Sequence, residues 1–255
     1  MKRSTPRQLR LESLESRKLM AGNVSVNLVA GEAKVVGDNQ GNGVFISEIS
    51  PNTYRVKGIP AAGTATTVNG KLWVDIRTPQ DDLRVYMNGG NDVVAIGNVT
   101  GMMTVEDLTV DLGDGADYLQ LANLEVYDRW DTTFIRMGSE TSRDGKDNID
   151  MSNVIFRASV DITLGAGNDE CEMRNTTIRD DLKINAGSGK DEIELVGVNA
   201  DEIFATLGSG SEDTLELEKT KARRLVADGG SGLRDRLEWR AGNQFTGRSV
   251  TGFEV

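Results

Sequence analysis

The sequence predicts an all-β chain wound as a right-handed parallel β-helix of about 22–25 residues per coil, preceded by a short helical leader. Three observations carry this. Aspartates recur at Asp147, Asp169, Asp191, Asp213 and Asp235, each 22 residues after the last. Paired glycines precede most of them. Strict alternation of apolar and polar residues follows each one, and period two is the mark of a strand with one buried face.

The elements follow in chain order. Residues 1–22 read MKRSTPRQLRLESLESRKLMAG. Thr5, Pro6 and Gln8 fit an N-cap, a first-turn proline and a capping-box glutamine, and Gly22 fits a C-cap, so a helix is expected over roughly 6–20. Residues 23–255 are expected to form one β-helix domain. Within it, 23–80 read as irregular early coils, such as Val24-Val26-Leu28 and Leu72-Val74-Ile76, with Asn42-Gly43-Val44 as a weak echo of the turn. Residues 81–255 read as regular coils. Asp92 and Asp117 extend the aspartate series upstream with spacings of 25 and 30.

Two residues after the aspartate stand Val94, Leu119, Ile149, Cys171, Ile193, Leu215 and Leu237. Four residues after it stand Ile96, Leu121, Met151, Met173, Leu195, Leu217 and Trp239. Both rows are expected to line the core. Cys171, within the first row, reads as an inert core residue. At the sixth position stand Asn98, Asn123, Asn153 and Asn175, which suggests a ladder of buried amides at a bend. A coil cannot bury its apolar face alone, but stacking at about 4.8 Å closes a core. Seven coils would span about 34 Å at that spacing. The segment from Gly138 to Gly145 interrupts the register and reads as a polar loop, either a specificity element or a tolerated insertion.

Composition narrows the function. The chain has no histidine and one cysteine, which excludes His-dependent nucleophilic catalysis, His-ligated metals and an internal disulfide. The net charge of −11 argues against nucleic acid. No run of 18 apolar residues exists to span a membrane as a helix.

The leader pattern Leu11-Glu12-x-Leu14-Glu15-x-Arg17-x-Leu19-Met20-Ala21 resembles that of large exported planctomycete proteins. The resemblance implies export, to the surface or beyond; a surface helix capping the stack is the other reading. Gly113–Leu119, Gly187–Ile193 and, less closely, Gly165–Cys171 resemble the calcium-binding glycine-aspartate repeats of exported toxins, lipases and surface-layer proteins. In that family the aspartate carboxylate and glycine carbonyls hold Ca²⁺ between coils, which nominates Asp92, Asp117, Asp147, Asp169, Asp191, Asp213 and Asp235 as metal ligands and Ca²⁺ as cofactor. The family's unit is nine residues and comes twice per coil; here there is one turn in a longer coil.

A second acidic row, Asp150, Glu172, Glu194, Glu216 and Glu238, is expected to face outward beside the turn aspartates. Two carboxylates about 5 Å apart repel by about 0.8 kcal/mol in water and about 3 at an effective dielectric of 20. Lys183, Arg174 and Arg240 would relieve part of this; Ca²⁺, another cation or a basic partner would relieve the rest. The plainer reading gives each aspartate an Asx-type bond to backbone and leaves the glutamates as a solvated face.

The function expected is that of an exported structural or adhesive protein at the cell surface or in a matrix, meeting a surface glycan or matrix protein. The strand-like C-terminus would allow end-to-end self-association. The alternative is a polysaccharide-binding or polysaccharide-cleaving β-helix. Enzyme function is the weaker reading, since no cluster of catalytic side chains stands out. A concave pocket joining carboxylates to a basic residue on the outer face would favour the alternative.

Overall fold

The computed structural model describes residues 22–61, 63, 65–139 and 144–254. The predicted leader helix and residues 140–143 of the polar loop lie outside the described residues. Among those described there is no helix; the chain is a parallel β-solenoid of about seven turns.

Two twelve-stranded sheets run the length of the stack. Each coil contributes one strand to each, as Leu182–Gly189 and then Glu192–Val196 do in one repeat. The register is parallel and in step. Cys171 pairs with Ile193 and Ile193 with Leu215; Leu182 pairs with Ile203 and Ile203 with Leu225. The expected core rows are therefore real columns. A single apolar cluster runs from Val24 to Ala227 and includes Cys171, whose thiol is pushed up to about 12 by burial. Each fully buried Leu, Ile or Val contributes about 1.5–3 kcal/mol, and one coil supplies Leu182, Ile184, Ile193, Leu195 and Val198. Trp239 departs from its row. It lies on the outermost strand of its sheet, is 42% exposed, and packs against Phe245 at 5.3 Å.

Residues 23–80 are not irregular coils. Asn23–Val29 pairs antiparallel with Glu32–Val36, Gly43–Ser50 with Thr53–Gly58, and Thr53–Gly58 with Trp73–Arg77. The cause is local. Ala30 and Gly31 have φ of 52° and 96°, the pair of left-handed residues that a two-residue hairpin needs. A parallel neighbour would require a long crossover instead. These hairpins begin both sheets, and the first parallel coil is laid directly on them: Val35 pairs with Val85, and Ile46 with Ile96.

The asparagine row is also different from expectation. Asn123, Asn153 and Asn175 have φ of 51°, 55° and 50°, and the same bend in the next two coils is made by Gly197 and Lys219, again left-handed. The position selects backbone conformation, which Asn tolerates better than most residues. The amide bonds between coils run from Asn123 to the Asn98 carbonyl (2.9 Å), from Asn153 to Asn123 (2.7 Å) and from the Glu48 N–H to Asn98 Oδ1 (3.1 Å), and Asn153 and Asn175 are exposed.

Candidate functional site

The seven aspartates do form a column, but it points into the molecule. All seven are at most 2% exposed. The parity of the strand explains this. The aspartate is two residues before one buried position and four before another, so it shares their face. The outward acidic row has the opposite parity. Asp150, Glu172, Glu194, Glu216 and Glu238 are in register on neighbouring strands. The two rows thus lie on opposite faces of the strand, not side by side.

Each column aspartate clamps two coils. Its Oδ1 accepts the backbone N–H of the aspartate one coil earlier: Asp92 to Asp117 at 2.7 Å, Asp147 to Asp169 at 2.8 Å, Asp169 to Asp191 at 2.9 Å and Asp191 to Asp213 at 2.8 Å. Asp117 donates to Asp147 at 2.7 Å and Asp213 to Asp235 at 3.0 Å in the same way. The returning bond runs from the residue after each aspartate to the preceding aspartate's carbonyl, as Glu192 to Asp169 at 2.8 Å. Asn42 opens the series by donating to Asp92 at 2.6 Å, and Glu254 Oε2 receives the Asp235 N–H at 2.6 Å. Asn42 was visible in sequence only as an echo of the turn. Glu254 carries no sequence signal, because it stands outside the repeat spacing.

The second carboxylate oxygen is the chemical problem. In Asp92, Asp117, Asp147, Asp213 and Asp235 the buried Oδ2 has no hydrogen-bond partner. Loss of solvent pushes Asp92 up to about 8, Asp117 to about 7 and Asp147 to about 9, against the backbone bonds that pull the other way. Asp213 is raised for the same reason. An orphaned carboxylate oxygen in that state calls for a proton or a hard cation.

The glycine pair has a steric cause. A Cβ on Gly189 would stand 1.3 Å from the Gly167 carbonyl oxygen, one on Gly210 1.5 Å from that of Gly189, and one on Gly232 1.6 Å from that of Gly210. The second glycines therefore stack carbonyl over Cα, and no side chain fits. This also accounts for the displaced pairs in the last two repeats. Gly210 and Gly232 keep their places in the stack, and the extra residue before the aspartate is absorbed by Glu212 and Arg234, with φ of 69° and 68°. Lys190 and Arg234, which put positive charge into two turns, both pair with Glu212 at 3.2 and 2.8 Å.

The row is not outward throughout: Glu216 is buried, its Oε1 has no hydrogen-bond partner, and loss of solvent raises its pKa. Arginines relieve part of the row's repulsion. Arg174 pairs with Glu172 and with Glu194 (3.3 Å), and Arg240 with Glu216 (2.7 Å) and Glu238 (3.7 Å). Lys183 takes no part. It lies on the other sheet, in register with Asp161 and Phe204. The polar loop is fastened at its end: Asp144 accepts the N–H of Gly115 at 3.4 Å and of Ala166 at 3.1 Å.

One further cluster has no signal in the sequence. Carboxylate oxygens of Asp107, Asp128 and Asp131 lie within 4.8 Å of one another, beside a surface cavity. They belong to two stretches of chain brought together by coiling, and no motif links them. Among the described residues no helix is long and apolar enough to cross a membrane. No family model, curated protein or solved structure matches the chain.

Proposed function

We propose that this chain is an exported structural or adhesive protein of the cell surface or matrix, a rod whose aspartate column fastens coil to coil and takes up Ca²⁺ at neutral pH. The observation that carries the reading is the buried, unpartnered Oδ2 of Asp92, Asp117, Asp147, Asp213 and Asp235. Oxygen donors suit calcium, and glycine carbonyls line the same turns. The leader's resemblance to planctomycete export leaders supports the location. The surface partner would be a glycan or a matrix protein. The outermost strand Gln244–Thr251 is exposed along most of its length, so end-to-end pairing of copies belongs to the same reading. Light scattering over a concentration series would show mass growing with concentration; a constant monomer mass would remove that part.

Calcium is tested by chelating the purified protein and titrating the ion back. A melting temperature that rises by several degrees at millimolar Ca²⁺, and not with equal ionic strength of NaCl, is the expected result. An unchanged melt leaves the column as a hydrogen-bonded fastener that protons alone neutralise.

A further inference from the structure

On the outer face of the described residues, the surface around Trp130 departs from the repeated ladder. Arg84, Thr109 and Phe134 stand in register on adjacent strands, Leu83–Tyr86, Leu108–Asp111 and Thr133–Arg136. The chain between Val126 and Thr133 rises over this row. It is held by the Asp128 N–H to the Glu106 carbonyl (3.1 Å) and by the Trp130 N–H to Asp128 Oδ1 (2.7 Å). Between row and loop lies a cavity of about 400 Å³ lined by Arg84, Asp107, Thr109, Trp130, Asp131 and Phe134. That volume lies within the ordinary range of small-molecule sites.

The chemistry of the lining is specific. Trp130 is 90% exposed and Phe134 51%, so two aromatic surfaces are presented to solvent at one cavity. Arg84 is fixed, with one nitrogen donating to Thr109 Oγ1 at 2.7 Å and others to Glu32 at 3.1 and 3.3 Å. Its charge is therefore met by Glu32. Asp107 and Asp131 supply acceptors, and Asp128 stands beside them. Aromatic faces next to carboxylate acceptors match a ring with one apolar C–H face and a rim of hydroxyls. A uronate would meet three carboxylates and be repelled.

We infer that this cavity binds an oligosaccharide that is neutral or carries amines, with Trp130 as the stacking platform and Asp107 and Asp131 as hydroxyl acceptors. The inference deepens the proposed reading by assigning its glycan partner a site and rests on it to that extent; it uses neither the aspartate column nor the leader, so the calcium titration and the sugar titration can fail separately.

The test is tryptophan fluorescence of the full chain titrated with cellohexaose, chitosan hexamer and hexagalacturonate. The chain has three tryptophans, and only Trp130 lines this cavity, so a Trp130→Ala variant assigns the signal. Saturable quenching by cellohexaose or the chitosan hexamer is expected, lost in Trp130→Ala and weakened about tenfold in Asp107→Asn, which keeps an acceptor oxygen but removes the charge that strengthens its hydrogen bond. Both variants are checked for an unchanged melt; Trp130 is too exposed to hold the fold. Affinity measured in parallel by calorimetry guards against a silent fluorophore. No binding of any of the three, binding unaltered in either variant, or a preference for hexagalacturonate would overturn the assignment.

Discussion

Gly210 shows how narrowly a single position can be set by its neighbour one coil away. Its backbone is ordinary, so the demand is not for a left-handed residue; it is for the absence of a Cβ 1.5 Å from the Gly189 carbonyl oxygen. That oxygen belongs to backbone locked in a parallel ladder, and it cannot swing away as a flexible side chain would. Gly210→Ala should therefore cost about 3 kcal/mol, at the upper end of overpacking effects. Gly247, on the strand Gln244–Thr251, has nothing within 4 Å of where a Cβ would stand. Gly247→Ala should change stability by less than about 0.5 kcal/mol. Urea unfolding of the two variants reads the difference directly. Equal effects would mean that the glycine stack is not what holds these turns in register.

At the scale of strands and turns, the regular coils were legible because two signals agree there. A fixed 22-residue spacing says that coils stack, and alternation says which face of each strand is buried. The spacing fails before residue 81, where two-residue turns send the chain back antiparallel; alternation survives there but does not say in which direction the partner runs. The direction of the aspartates was in the sequence as well. Asp191 is in phase with Ile193 and Leu195, both fully buried, and phase alone places it inside. Charge is what argues against that placement, since an ionised carboxylate is rarely left dry. The backbone N–H that offsets part of the cost comes from Asp169, 22 positions away, and no local pattern displays it. The cavity at Trp130 was illegible for a related reason: Asp107 and Asp131 meet only because coils of 25 residues bring one above the other.

For the whole molecule, the column makes stability depend on pH in a direction opposite to that of most acidic proteins. An aspartate in the unfolded chain releases its proton near about 3.9. In the fold, Asp117 holds its proton to about 7, Asp92 to about 8 and Asp147 to about 9, all because burial disfavours the charge. Between those limits the folded state binds more protons than the unfolded state, and stability falls as pH rises. The ion-paired carboxylates Asp75, Asp201, Glu212 and Glu218 are held low, so their contribution is lost only as pH falls, and they sit exposed where screening weakens it. The two effects occupy different windows. In chelator, the urea midpoint should therefore decline steadily from about pH 5 to about pH 9. Asp147→Asn keeps an oxygen to accept the Asp117 N–H and removes an ionisable group, so its decline should be shallower and its midpoint at pH 8 higher than that of the unsubstituted chain. Millimolar Ca²⁺ should flatten the decline in the unsubstituted chain by giving the ionised carboxylates a counter-charge. A midpoint that stays level or climbs over this range in chelator would show that the column ionises without cost. A decline that is identical with and without the ion would place any bound calcium elsewhere than on the column.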